Sequence, residues 1–369
     1  MRYKYKRFKG PNTPSLVISN HNTDLDPALL GITFSRHMYF LSSEHALRAG
    51  FVSKILNFIF SPITIDKTHT DIPAIKEMLR RLKAGASVCL FAEGNRSFNG
   101  VTAPIAISTA KLVKTSGADL ITYRFDGAYF ASPRWAKNVR KGLITGEVVN
   151  KYTAAELKSM SAGEVLGVIE RDIFVDAYKQ QKETLRRYRG STLAENLETV
   201  LYLCPKCRRI GTIKSADDRF FCGCGIGGIY SETGFLEGEA LPFSTITEWD
   251  RWQISELPDV IKSFGDKPIC IDENQQLFEV LPAVRKTLVG EGAMSIDSKA
   301  FTCAGRTFPL EDITEFAIVS QMTLLFGLND GSTYEVRSAA PRSALKYREI
   351  FHILADSSPY TALPENSET

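Results

Sequence analysis

From Ser15 to Ser19 the chain reads SLVIS, a short apolar run bounded at once by the polar stretch NHNTD. Such a run suits a strand buried on both faces. The pattern recurs: MYFLS, PITID, ASVCLFAEG, ADLITYRF and KGLITGEVV each read as a strand. Between them, helical spacing covers Asp26 to Phe34, Glu44 to Phe60 and a segment near Ile105 to Thr115. In the second of these, Leu47, Phe51, Ile55, Leu56 and Ile59 fall near one face. DIPAIKEMLRRLKAG is the clearest amphipathic helix, opening at Asp71 and stopped by Gly85. Strands alternating with helices predict an α/β domain, a central sheet flanked by helices, over residues 1–175.

The pattern then changes. Residues 153–188 look helical and increasingly charged, and KQQKETLRRYR reads as a solvated connector, assigned to 176–200. Paired cysteines occupy 201–232. From 233 to 357 the chain reads as β-rich, with short strands from Gly292 onwards: GAMSIDSK, FTCAGRTFPL, ITEFAIVS and MTLLFGLNDGSTYEVR. LNDGST is a hairpin signal, because Asp-Gly accepts the positive φ angles of a tight turn. A last helix, SALKYREIFHIL, closes this part, as in a small β-barrel or sandwich. The tail 358–369 is expected to be disordered.

A chain of 369 residues predicts two or three domains. The 45 basic and 42 acidic residues give a net charge of +3, which does not suit a dedicated nucleic-acid binder, so no nucleic acid is expected as partner. The distribution is more telling: MRYKYKRFK carries Arg2, Lys4, Lys6, Arg7 and Lys9 with no acid. Such a cluster is attracted to anionic lipid heads by about 1 kcal/mol per residue, or is simply a solvated strand end. No apolar stretch follows that start as in a signal peptide, and no run of about 18 apolar residues predicts a membrane span. Seven cysteines, four of them in pairs, point to a reducing compartment and a metal site.

Candidate chemistry gathers at strand ends. In NHNTDLDP, His21 and Asp26 flank a turn before a helix. A carboxylate so placed can hold an imidazole in one tautomer and make it a general base. The same residues suit a histidine capping the turn, with Asp24 or Asp26 at the helix N-cap. In FAEGNRSFNG, Gly94 permits a tight turn, Arg96 is a forked donor suited to phosphate, and Glu93 could hold Arg96 or a ligand hydroxyl. In PITIDK, Lys67 leaves a strand end, where it suits a second phosphate contact or is simply a surface lysine.

In this order the three segments resemble the glycerolipid acyltransferase family, which includes the 1-acylglycerol-3-phosphate acyltransferases. The family's first motif, Asn-His, four residues, then Asp, is matched by Asn20, His21 and Asp26. Its third, Phe-Pro-Glu-Gly-Thr-Arg-Ser, is matched at Phe91, Glu93, Gly94, Arg96 and Ser97 and departs at Ala92 and Asn95. Its second ends in a basic residue, where Lys67 stands for the usual arginine. Its fourth, centred on Val-Pro, meets ITYRF without the proline. The resemblance covers roughly residues 10–150 and implies a one-step transfer: His21 as base, Asp26 orienting it, and Lys67, Glu93, Gly94 and Arg96 holding the acceptor phosphate. It implies lysophosphatidate or a related lysophospholipid as acceptor, acyl-CoA or acyl-carrier protein as donor, and peripheral attachment at the cytoplasmic face of a membrane. Family members usually carry a helical membrane-binding segment before the first strand. Here such an anchor is expected to be missing or replaced by other surfaces, with Phe51, Phe58 and Phe60 in the Glu44 to Phe60 helix as candidates for the interface. The competing reading is an inactive relative serving as a lipid- or protein-binding scaffold.

Cys204-Pro-Lys-Cys207 has metal-knuckle spacing, and Cys222-Gly-Cys224 follows after fourteen residues. Four thiolates so close predict a structural zinc ion in a ribbon-like segment, although the second gap is one residue where a ribbon usually has two; the competing readings are a redox dithiol pair or free thiols. Cys89, Cys270 and Cys303 sit in apolar strands as inert core residues. The β-rich part with its final helix weakly resembles a pleckstrin-homology domain.

Overall fold

The structure, a computed structural model, describes residues 1–43, 61–65, 71–281 and 285–355. The expected Glu44 to Phe60 helix, Lys67 and the tail 358–369 lie outside the described residues. The chain divides into two compact units: Met1–Leu197 with Lys214–Phe221 and Gly225–Trp249, and Glu198–Ile213 with Cys222–Cys224 and the chain from Asp250 onwards.

The first unit is built on a seven-stranded sheet. Its strands are β1 (Arg2–Tyr5), β2 (Ser15–Ser19), β3 (Met38–Ser43), β4 (Ile63–Ile65), β5 (Ser87–Phe91), β6 (Asp119–Asp126) and β7 (Leu143–Tyr152), in the order β1-β7-β6-β2-β5-β3-β4. β2 to β6 run parallel, β7 runs antiparallel to β6, and β1 lies parallel to β7 at the edge. The helices are α1 (Asp26–Thr33), α2 (Ile72–Lys83), α3 (Ile107–Ser116), α4 (Ala128–Ala131), α5 (Ala154–Ser159), α6 (Ala162–Ile173) and α7 (Ala177–Thr184).

Every residue of β2 is buried, as its unbroken apolar run requires. Leu16 and Ile18 enter one core with Val88, Leu120, Met78 and Leu82 of α2, Val113 of α3 and Ile169 of α6. The sequence signals act locally. Asp71 caps α2 by accepting the Ala74 amide at 2.9 Å, and Gly85 beyond its end has φ +87°.

The expected connector 176–200 is α-helical only over α7, with a short 3-10 turn at Leu197–Thr199. Tyr188 and Gln181 are buried, and Arg186 pairs with Asp126 at 2.7 Å, so its charged face is partly spent on this unit. Four further strands, β8 (Ile213–Ala216), β9 (Arg219–Cys222), β10 (Gly227–Tyr230) and β11 (Leu236–Glu237), form a small sheet in the order β11-β10-β9-β8.

After α8 (Ile246–Lys262), the second unit carries β12 (Cys270–Leu281), β13 (Arg285–Ile296), β14 (Ala300–Cys303), β15 (Arg306–Pro309), β16 (Ile313–Val319), β17 (Thr323–Leu328) and β18 (Thr333–Ser338). They form an antiparallel sheet, β15-β14-β13-β12-β18-β17-β16, whose edge strands β15 and β16 do not pair. The last helix, α9 (Ala344–Leu354), sets Phe351 edge-on against Phe316 at 5.0 Å. The β17–β18 hairpin turns at the expected Asp330-Gly331, with Gly331 at φ +87°.

Candidate functional site

β2 and β5 are parallel neighbours, and Ser19 stands opposite Phe91. Their following loops, NHNTD and AEGNRS, therefore leave the sheet at the same edge, where parallel sheets place ligand sites. Asn20 makes the first fixed point. Its side-chain amide donates to Phe125 O at 3.0 Å and accepts the Phe125 amide at 2.8 Å, extending the sheet ladder onto β6.

His21 follows, held on several sides. Its amide donates to Glu93 Oε1 at 2.7 Å, and its carbonyl accepts the Ser97 amide at 2.9 Å. Its ring stacks on Phe91, centroids 4.2 Å apart and planes 19° apart. Nδ1 lies 2.9 Å from Asp26 Oδ2. With Nδ1 donating its proton to that carboxylate, Nε2 carries the lone pair, as a general base requires.

Asp26 is fully buried. Besides His21, it accepts the amides of Asn22 (2.7 Å) and Thr23 (2.9 Å) and the Thr23 hydroxyl (2.7 Å). Its side chain thus turns back into the loop. The cap position of α1 is Leu25, with no side-chain cap, so the alternative of Asp24 or Asp26 as an N-cap does not hold.

Glu93 corrects an expectation. It was expected at the acceptor phosphate, but its second oxygen accepts the Ala103 amide at 2.8 Å, so both oxygens are spent on backbone. Burial pushes its carboxyl up to about 8; the amides of Ala103 and His21 pull it down, and the Asp26 charge adds to the rise. Its position makes it a brace for the His21 loop through the His21 and Ala103 amides. Arg96 is buried and meets Asp24 of the neighbouring loop at 3.2 Å, and Asp24 is largely exposed. Gly94 is exposed at φ +69°, a conformation that a side chain would strain.

Thr23 and Phe91 were in view as motif residues, but their contacts to Asp26 and His21 were not read from spacing. Arg134 gave no signal at all. It is buried, stacks over Phe98 at 4.3 Å and donates to Asn95 Oδ1 at 3.2 Å, so it steadies the Gly94–Arg96 turn from a distant segment.

Cys204, Cys207, Cys222 and Cys224 come together in the second unit, all four sulfurs within 4.8 Å of one another. Cys204 Sγ and Cys224 Sγ are 3.6 Å apart, and Cys207 Sγ and Cys222 Sγ 3.8 Å. A tetrahedron with metal–sulfur bonds of about 2.3 Å has sulfur–sulfur edges of about 3.8 Å. The donor set fits a closed four-sulfur centre. Cys89, Cys270 and Cys303 are buried, as expected.

Residues 3–125 match the family model described as Acyltransferase, and that stretch holds His21, Asp26, Glu93, Gly94 and Arg96. Among solved structures, the chain is similar to the 1-acyl-sn-glycerophosphate (LPA) acyltransferase PlsC from Thermotoga maritima, with 16% identity and a TM-score of 0.40, over 51% of this chain and 74% of that one. No curated protein matches the chain.

Proposed function

We propose, from the acyltransferase match over residues 3–125, that this chain moves a fatty acyl group from a thioester to the hydroxyl of lysophosphatidate or a related lysophospholipid. The observation that carries the reading is the His21–Asp26 pair, 2.9 Å apart on a braced loop. The acceptor hydroxyl attacks the thioester carbonyl; the new C–O bond forms as the C–S bond breaks. His21 Nε2 takes the hydroxyl proton and passes it to the departing thiolate, and the donor is acyl-CoA or acyl-carrier protein. Asp26 keeps Nδ1 protonated and stabilises the imidazolium. Arg96 offers its guanidinium to the acceptor phosphate, with Gly94 leaving room beside it, and Lys67 is the proposed second cation. The fourfold commitment of Asp26 favours an enzyme over a scaffold, which has no use for an oriented imidazole.

The reaction is proposed to occur at the cytoplasmic face of a membrane. Among the described residues, no helix is long and apolar enough to cross one. A surface stripe supports peripheral attachment: Leu25 and Ile32 are 43% and 52% exposed, with Ala28 between them on α1. Exposed Lys6, Arg7 and Lys9 flank Phe8, which pairs with Phe34 at the end of that helix. Apolar side chains beside cations suit an anionic bilayer.

The four cysteines are proposed to hold structural zinc in a ribbon-like segment; with every ligand a thiolate, no coordination position is left for catalysis. The antiparallel strands and final helix of the second unit are compatible with a pleckstrin-homology-like fold.

Transfer from a labelled acyl thioester to a panel of lysophospholipids on lipid vesicles tests the reading. Transfer to lysophosphatidate, lost in folded His21→Ala, is the expected result. Full activity in that variant, or no transfer from either donor class to any acceptor, would overturn it.

A further inference from the structure

The second unit contains a cleft of about 490 Å³ that the transfer reaction does not use. That volume falls in the range of small-molecule sites. One wall is the loop after Cys207, Arg208 to Thr212; the other runs from the end of α8 into β12. Val260, Phe264, Ile269 and Ile271 give it an apolar lining, and Ile271 is 56% exposed, costly for a large aliphatic side chain left without cover. The cationic side is asymmetric. Arg208 is paired with Glu256, whereas Arg209, also exposed, makes no ion pair among the described residues.

Positive charge also lies under the floor. Buried Lys346 pairs with Asp272 at 2.7 Å. Arg342 is 4% exposed, with Nε and Nη1 lacking hydrogen-bond partners among the described residues. Both charges act on Cys270, a lining residue whose thiol burial pushes up to about 11 while these cations pull it down. A buried cation without a full set of acceptors favours an anion nearby.

We propose that this cleft binds a single-chain amphiphile with an anionic head, its chain along Val260, Phe264, Ile269 and Ile271 and its head at Arg209. None of its lining residues belongs to the His21 loop. Its loop wall also leans on the cysteine cluster, since Thr212 Oγ1 lies 3.2 Å from Cys222 Sγ.

Hydrogen exchange on the full, metal-loaded chain locates such binding. Dodecanoate and dodecyl phosphate are the probes, with dodecanol and inorganic phosphate as controls. Slower exchange in 208–212 and 259–271 with either anionic probe is expected, and the stronger of the two names the head group. Arg209→Glu and Ile271→Asp, both at exposed positions that the fold tolerates, should each weaken the effect about tenfold. Protection confined to the His21 loop, equal protection by dodecanol, equal protection by inorganic phosphate, or an unchanged response in Arg209→Glu would each overturn the proposal.

Discussion

The His21 loop and the cysteine loops are both irregular backbone at strand ends, yet different forces fix them. Around His21 the contacts are hydrogen bonds of 2.7–2.9 Å from amides and a hydroxyl to two carboxylates. Around the cysteines the side-chain contacts include sulfur pairs at 3.6 and 3.8 Å and the Thr212 hydroxyl 3.2 Å from Cys222 Sγ, each a weak interaction for ordering a loop. The first loop is organised by hydrogen bonds within the chain; the second brings four sulfurs within 4.8 Å of one another, a set that suits the proposed ion.

Metal removal breaks the comparison most sharply. Structural zinc in small sites contributes about 10 kcal/mol or more to folding. One equivalent of zinc should be found in the purified protein and lost from a Cys204→Ser and Cys207→Ser double variant. Chelation should raise hydrogen exchange across 203–224 towards that of an unfolded chain and leave the His21 loop unchanged. Metal analysis finding none in the wild type would remove the contrast.

Asp26→Asn tests the other side. An amide cannot accept from the Nδ1 proton, two backbone amides and the Thr23 hydroxyl at once. The tautomer is lost while the fold survives, and kcat should fall about 10³-fold or more, roughly 4 kcal/mol, with KM little changed. A kcat within tenfold of wild type would show that Asp26 holds the loop and not the base.

Much of the first region was legible because its signals are local. SLVIS gave β2 to the residue, and Asp71 and Gly85 bracketed α2. The second region was read late. β12 begins at Cys270, but the strand pattern was recognised only from Gly292. Its period of two is broken where Asn274 takes φ +58° at a bulge between Asp272 and Gln275. α8 was missed because Pro258 lies inside it. The role of Glu93 was illegible for another reason. A carboxylate beside a glycine turn looks the same whether it faces a ligand or the backbone, and only the returning chain at Ala103 decides.

Glu93→Ala sharpens that point. Two half-buried amide donors lose their acceptor, at about 1–3 kcal/mol each. Thermal unfolding should shift by about 3 kcal/mol, and kcat should drop with it as His21 loosens. A fall in kcat without any loss of stability would instead return Glu93 to the substrate.

The smallest effect, and the most discriminating, is the pH dependence of stability. Burial raises Glu93 to about 8 in the folded state, above the ordinary 4.5 of an unfolded glutamate. Between those values the folded chain holds a proton that the unfolded chain has released. This stabilisation is complete below about pH 4.5 and is lost as pH rises through 8, by at most about 1.4 kcal/mol per unit. Glu93→Gln has nothing to titrate there. The stability gap between wild type and Glu93→Gln should therefore narrow from pH 5 to pH 8 in denaturant unfolding. A gap that stays level over that range would mean that the amides of His21 and Ala103 outweigh burial. Glu93 would then be a carboxylate throughout, and the His21 loop would be braced by charge as well as by geometry.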